Sequence, residues 1–409
     1  MNSLEKNNIP AGYKDSAVGI IPQEWEVTTL GKLVSITSGE SPSLYNLQSS
    51  GKYPYVKVED MNNCEKYQVF SREYSDDEKG AIPKGSIIFP KRGAAIINNK
   101  VRIADCALYM DSNMMAITPN EYVCGDYLYF KITFEKLYKI ADISTIPQIN
   151  NKHIIPYKLA VPPMGEQRKI AEILGVWDEA IEKQSRLIER LEVRKRALMQ
   201  RLLTGRVRLS GFTTPWQKFS YSEVLKEVKR KMNWDDNEEY DLISVKRRSG
   251  GLFHRESLFG RDIKTKNLRP TLKGDFLISK MQIVHGASGL VTEEFDGMKI
   301  SGSYIALIAK DDKLVDMSFI NWYSKTPYFY HQTYVSSYGV HIEKMTFDLE
   351  SFMSMSIWLP DLPEQKAIAE VLTAADNEIA THRKKLDALR QQKRGLMQQL
   401  LTGKTRVKI

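Results

Sequence analysis

The residues in this chain that come nearest to a catalytic constellation are Pro360-Asp361-Leu362-Pro363-Glu364-Gln365-Lys366. They imitate the Pro-Asp…Glu-x-Lys site of nucleases, where carboxylates from neighbouring strands converge on Mg2+. Here Asp361 and Glu364 straddle a helix start, and a matching segment earlier in the chain has Pro163 and Glu166 but no Asp. An autonomous Mg-dependent nuclease is therefore an alternative reading. A phosphate-cradling loop needs Gly-x-x-x-x-Gly-Lys-Ser/Thr; Gly80 to Ser86 lacks the lysine, and Gly403-Lys404-Thr405 lacks the preceding glycine. Val161-Pro162-Pro163-Met164 has neither the amide nor the aromatic ring of an amino-methyltransferase loop. His153, His254, His285, His331, His341 and His382 are scattered without metal-ligand spacing. Cys64, Cys106 and Cys124 form no Cys-x-x-Cys pair, which argues against a disulfide framework and a zinc site. The expectation is a chain with no catalytic residues, no metal and no cofactor of its own.

What remains is charge. Lysine and arginine number 59 against 50 acidic residues, a balance of +9 that favours a polyanionic partner, nucleic acid ahead of a membrane surface. Phosphates dominate affinity for DNA, and Arg or Lys forks read guanine, so basic residues in turns are the candidates. In the first half these are Lys57, Lys91, Arg92 and Arg102. In the second half the cluster Lys246-Arg247-Arg248-Ser249-Gly250-Gly251 leads, with His254, Arg255, Lys280 and the loop Ser337-Tyr338-Gly339-Val340-His341, from which Tyr338 and His341 are selected. Any one of these basic residues can equally be a solvated face. No apolar stretch approaches the ~18 residues of a spanning helix, and residues 1–10 contain no apolar signal core. A cytoplasmic protein is expected.

The elements that must position these residues are set by a repeat. Glu166-Gln167-Arg168-Lys169-Ile170-Ala171-Glu172-Ile173-Leu174 aligns with Glu364-Gln365-Lys366-Ala367-Ile368-Ala369-Glu370-Val371-Leu372, an offset of 198 that continues ungapped to Leu202-Leu203-Thr204-Gly205 and Leu400-Leu401-Thr402-Gly403. Apolar residues step by four and three through Ile170, Leu174, Trp177, Ile181, Ile188, Leu191, Leu198 and Leu202. The second copy runs through Ile368, Leu372, Ile379, Leu386, Leu389, Leu396 and Leu400. That is a heptad seam, interrupted in both copies at the same two steps, Gln184 and Lys195 or His382 and Lys393. First-turn acids and closing glycines bound two helices of ~38 residues, or ~57 Å at 1.5 Å per residue. Two copies of one seam can pair within one chain.

The segments between match more loosely. Trp25 corresponds to Trp216, Tyr55-Val56-Lys57 to Ser244-Val245-Lys246, Lys84 to Phe89 with Lys273 to Ile278, and Lys91 to Lys280. They are rich in β-branched and aromatic residues between Gly, Asn and Asp turns and read as strand-rich domains. The expected fold is α+β: two mixed globular domains separated by two long helices that pair as an antiparallel coiled coil, with pseudo-two-fold and circular organisation. Such a layout suits two DNA half-sites one turn (~34–36 Å) or a multiple apart.

Pro163-Met164-Gly165-Glu166-Gln167-Arg168-Lys169-Ile170-Ala171, Pro363-Glu364-Gln365-Lys366-Ala367-Ile368-Ala369, the two Leu-Leu-Thr-Gly endings and Ile21-Pro22-Gln23-Glu24-Trp25-Glu26-Val27 resemble the specificity subunit of type I restriction-modification enzymes. The resemblance spans nearly the whole chain. It implies an N-terminal arm (1–24), a first target-recognition domain (25–162), a central conserved helical region (163–205), a second target-recognition domain (206–360) and a C-terminal conserved helical region (361–409). Each domain would read half of a bipartite target in double-stranded DNA, and the helices would fix the spacer and dock two methyltransferase subunits, and through them restriction subunits. S-adenosylmethionine, ATP and Mg would sit on those partners. A coiled-coil scaffold without a DNA role is the remaining alternative.

Overall fold

The computed structural model describes residues 9–77 and 80–408; the first eight residues of the expected arm and the terminal Ile409 lie outside them. The chain forms two compact units, residues 1–185 with 385–409 and residues 186–384. The two long helices are Met164–Leu202 and Leu362–Leu400, each of 39 residues, and each contributes residues to both units. No helix among the described residues is long and apolar enough to cross a membrane.

In the first unit Ile170 and Leu174 of the first helix share a buried cluster with Leu400 and Leu401 from the end of the second. In the second unit Leu202 and Leu203 share one with Ile368 and Leu372. The other seam positions are buried (Ile188, Leu191, Ile379, Leu386) or half-buried (Trp177, Ile181, Leu198, Leu389, Leu396). The polar interruptions are paired. Lys195 forms an ion pair with Asp376 in the second unit, and Lys393 forms one with Asp178 in the first. With Arg194 on Glu378 and Arg383 on Glu192, these pairs fix the helices as antiparallel. Each ammonium also lies over an aromatic ring of the globular part, Lys195 5.3 Å from Trp322 and Lys393 5.0 Å from Phe130. A second lysine faces the same ring in each unit, Lys325 at 3.9 Å and Lys66 at 4.7 Å.

Each helix stops at a left-handed glycine, Gly205 (φ +67°) or Gly403 (φ +74°), whose amide donates to the carbonyl of Leu202 or Leu400. A Cβ on Gly403 would strike Pro22, and one on Gly205 would press on Trp216.

The strand that enters each globular part pairs antiparallel with the strand that leaves it: Glu26–Thr29 with Lys158–Val161, and Gln217–Ser220 with Ser356–Leu359. Both domains are therefore loops of chain closed at the start of a long helix. The first unit has a sheet ordered Val34–Ser38, Met114–Pro119, Ile87–Pro90, Arg102–Ala104 and Tyr67–Gln68. The second repeats its first four strands as Leu225–Glu227, Tyr304–Ala309, Phe276–Ser279 and Ser288–Leu290. The other sheets differ. In the first unit the strand Tyr53–Val56 pairs with two short strands, whereas in the second Glu239–Val245 forms a long hairpin with Leu252–Phe259.

Both units close on the same buried group. Glu166 is wholly buried in the first turn of its helix and accepts hydrogen bonds from Arg406 Nε (2.7 Å), Arg406 Nη2 (2.9 Å) and the Trp25 indole (3.0 Å). Glu364 accepts from Arg208 Nε and Nη2 (2.6 Å each) and from Trp216 (3.2 Å). These bonds hold both guanidinium groups above their ordinary pKa. The neighbouring glutamine ties the helix start to its domain: Gln167 bonds the Cys124 amide and the Pro162 carbonyl, and Gln365 the Asp316 amide and the Pro360 carbonyl.

Removing one partner of such a pair leaves a buried charge uncompensated, at a cost of about 3 kcal/mol. Arg406→Ala should speed amide exchange roughly 100-fold around residues 22–25 and 397–405 while residues 205–216 keep their protection, and Arg208→Ala should do the reverse. Equal loosening of both units by either variant would contradict a latch local to each.

Candidate nucleic-acid interface

In the second unit the hairpin Glu239–Val245 and Leu252–Phe259 ends in a tip over Lys246 to Gly251, closed by the Lys246 amide on the Gly251 carbonyl (2.9 Å). Arg248 and Ser249 sit at φ +57° and +53°, where a β-carbon costs roughly 1–2 kcal/mol per residue. The neighbouring turn holds them there. The Arg248 amide donates to the His285 carbonyl (2.6 Å), the Ser249 amide to Gly286 (2.9 Å), and the Ser249 hydroxyl bonds that of Tyr330 (2.8 Å). Gly286 is itself left-handed (φ +71°), and a Cβ on it would collide with the Tyr330 hydroxyl. Arg247 is held by Gln282 and by Glu343 (3.0 Å). His285 Nε2 lies 3.2 Å from the same carboxylate, without hydrogen-bonding geometry.

Glu343 belongs to the loop that carries Tyr338 and His341, which are both exposed, and Val340 in that loop is 94% exposed. Lys280 ends the strand Phe276–Ser279; its amide donates to Ser303 and its carbonyl accepts from Phe347, both at 2.9 Å. The fold thus gathers Arg247, Arg248, Lys280 and the Tyr338–His341 loop. Lys246 lies 5.4 Å over the Phe253 ring. His254 and Arg255 stand further along the hairpin and are engaged by acids, His254 3.3 Å from Asp241 and Arg255 2.8 Å from Glu256. The Ser257 hydroxyl, with His254 beside it, holds Asp241 below the usual carboxylate pKa.

In the first unit Lys91 repeats the setting of Lys280: its amide donates to Asn113 (2.8 Å) and its carbonyl accepts from Ile149 (2.9 Å). Arg92 follows it, bridged through its backbone to Gln148, on a loop whose neighbours Ile143 and Ile146 are exposed. Neither Lys91 nor Arg92 has a side-chain partner among the described residues. Lys57 is elsewhere occupied, ion-paired with Glu73 and 5.8 Å over the Tyr55 ring. Arg102 points its guanidinium inward, to the carbonyls of Cys64 (2.7 Å), Val101 (2.8 Å) and Met61 (2.9 Å). Its donors brace the fold. The residues that shape the hairpin tip, Gln282, Tyr330 and Glu343, carry no signal in the sequence, because their partners are distant in the chain.

The nuclease-like segment has other duties. Asp361 accepts the Glu364 amide (3.0 Å) as a helix cap, and Glu364 is taken by Arg208 and Trp216. No group of three or more His, Cys, Asp or Glu that could hold a metal occurs among the described residues.

The family model described as type I restriction modification DNA specificity domain matches residues 22–193 and 214–391. The chain belongs to that family. Its two matched segments each take in one globular part and most of the helix that follows. A relative, the type I restriction enzyme MjaVIII specificity subunit of Methanocaldococcus jannaschii, is 23% identical, covering 95% of this chain and 94% of its own. Two solved structures share the fold. One is the type I restriction-modification S subunit from M. genitalium (TM-score 0.57, 14% identity, 92% of this chain and 96% of that one). The other is a chain from a study of complex assembly and conformational transition of the type I R-M system (TM-score 0.59, 16% identity, 94% and 99%). The α+β fold with two strand-rich domains and long helices is that of this family, whose members are the DNA-recognition components of type I systems.

Gly286→Ala should cost more than the ~1 kcal/mol of left-handed strain, since the new methyl also meets Tyr330. Hydrogen exchange at the Arg248 and Ser249 amides should accelerate, and the Tyr330→Phe background should soften the effect. Unaltered exchange at both amides would show that the turn does not hold the tip.

Proposed function

We propose that the chain is a non-catalytic recognition subunit whose two domains each read one half of a split target in double-stranded DNA inside the cell. The observation that carries this reading is the duplication itself, which extends from the sequence to individual hydrogen bonds. Lys91 and Lys280 end equivalent strands between equivalent loops, so each unit presents a basic corner of its own. The paired helices fix the number of base pairs between the halves and offer docking sites for two methyltransferase subunits, through which restriction subunits join. S-adenosylmethionine, ATP and Mg belong to those partners.

The test is to express the chain with the modification subunit of its own host and to sequence the methylated positions. A two-part motif with a constant gap is expected, and exchanging residues 213–355 for another such domain should change one half alone. Methylation without a two-part preference would refute the reading. Mg-dependent cutting by the isolated chain, abolished by Asp361→Ala, would favour the nuclease instead.

Phosphate contacts give a separate measurement. Each one lost should flatten the dependence of log affinity on log salt by about 0.9. Lys91→Ala with Arg92→Ala should lower that slope by roughly 1–2, whereas Lys57→Ala should leave it unchanged, because Glu73 already neutralises that ammonium.

A further inference from the structure

We infer that Arg248 is the residue through which the second unit reads a guanine, its free guanidinium fork presented to the base edge by the strained tip of the 239–259 hairpin. The inference rests on the recognition-subunit reading and adds to it which basic residue contacts a base.

Three observations lead there. First, among the arginines between the strand Leu225–Glu227 and the second long helix, four have polar partners and a fifth is stacked on a ring. Arg230 forks onto Asp275, Arg247 onto Gln282 and Glu343, and Arg255 onto Glu256; Arg261 lies over the Phe259 ring and Arg269 donates to the Tyr304 carbonyl. Arg248 is exposed and has no side-chain partner among the described residues. Second, its backbone is held in the left-handed region by hydrogen bonds from its own amide and from both the amide and hydroxyl of Ser249. Strain that surrounding structure over-determines clusters at functional sites, because it holds a side chain in one place. A phosphate contact needs no such fixing, since an ammonium or guanidinium on a flexible stem finds a charge over a wide range of positions. Bidentate recognition of guanine O6 and N7 does need it.

Third, the hairpin is where the two units part company. The strand Tyr53–Val56 of the first unit runs into Lys57, which is neutralised by Glu73, and has no long partner strand. The four-stranded arrangement shared by both units cannot distinguish their targets; a feature owned by one unit can. Arg247 is then a positioning residue, its guanidinium bracing the tip against Gln282 and Glu343 so that its neighbour faces outward.

The experiment compares methylated motifs for the complex carrying the natural chain, Arg248→Ala and Arg248→Lys, with the half read by this unit identified by the 213–355 exchange. Arg248→Ala should lower preference for guanine at one position of that half by roughly 5- to 150-fold, leaving the other half intact. Arg248→Lys keeps the charge but loses the fork, and should relax the same position while preserving the salt dependence of duplex binding. An unchanged motif in both variants, with methylation reduced alike at all sites for Arg248→Ala and restored by Arg248→Lys, would make Arg248 a phosphate contact and overturn the inference alone. A half-motif without guanine would do the same. A natural complex with no two-part motif would overturn the functional reading, and this assignment with it. Thermal unfolding of both variants should match that of the natural chain; a lowered midpoint would show that Arg248 supports the fold instead.

Discussion

Each unit depends on one carboxylate held out of water. Transferring such a group from solvent costs several kcal/mol, and only well-placed donors make the site tolerable. Glu166 has three, two from Arg406 and one from Trp25. The three residues come from the start of the globular part, the start of one helix and the tail beyond the other. One buried charge therefore specifies where three distant pieces of chain must meet. Tyr13 adds to the same junction by donating to the Gly403 carbonyl (2.9 Å). The first unit is closed by contacts almost 400 residues apart in sequence, and it lacks part of its core until residues 385–409 are made. The second is a continuous stretch and has no such requirement.

The helix seam uses charge in a second way. A wholly apolar heptad stripe tolerates slips by a heptad and both orientations, since any apolar residue packs acceptably against another. A buried polar residue does not. Lys195 must meet Asp376, and Lys393 must meet Asp178, in the antiparallel sense that also brings Arg194 to Glu378. The ring beneath each lysine belongs to the globular part, so the ion pair that sets helix register also seats the domain on the helices. The second cation over each ring comes from a different element in each unit, Lys66 from the approach to Tyr67–Gln68 and Lys325 from the turn before the helix Pro327–Val335. The arrangement recurs although the second lysine that completes it does not correspond.

Much of this was readable in the sequence because repetition and periodicity are local or exact in register. The offset of 198 locates both helices and their glycine stops, and the looser match between the helices pairs the two tryptophans. The latch is hidden for a simple reason: Glu166 and Glu364 also satisfy the dipole rule for a first-turn acid, so their type and position alone do not point to a partner. Arg208 and Arg406 continue the offset three residues past the glycines, which was the available signal. Individual basic residues were harder. Whether Lys57, Arg102 or Arg255 is free depends on Glu73, on three backbone carbonyls and on Glu256, and of these only Glu256 and the Val101 carbonyl are adjacent in sequence. Charge composition sees none of that pairing. Arg102 shows the extreme case, a residue of the expected type in a turn-rich region whose donors all point inward.

The division between what the two units share and what they do not follows the same physics. Shared features are those with many mutual constraints: the entry and exit strands that must pair, the glutamine that must reach a loop amide, the glycine that must clear a proline or tryptophan. Changing one of these residues breaks several contacts at once. The hairpin tip of the second unit has the opposite character. Its backbone is tied to the 283–286 turn by main-chain hydrogen bonds that are indifferent to side-chain identity, while the exposed Arg248 side chain has no hydrogen-bond or ion-pair partner among the described residues. A substitution at that position alters what the tip presents without disturbing how it is held. A protein that must keep its architecture while changing what it recognises needs its reading residues on such ground. The fold supplies it by separating the groups that brace the loop, Gln282, Tyr330 and Glu343, from the group that the loop displays.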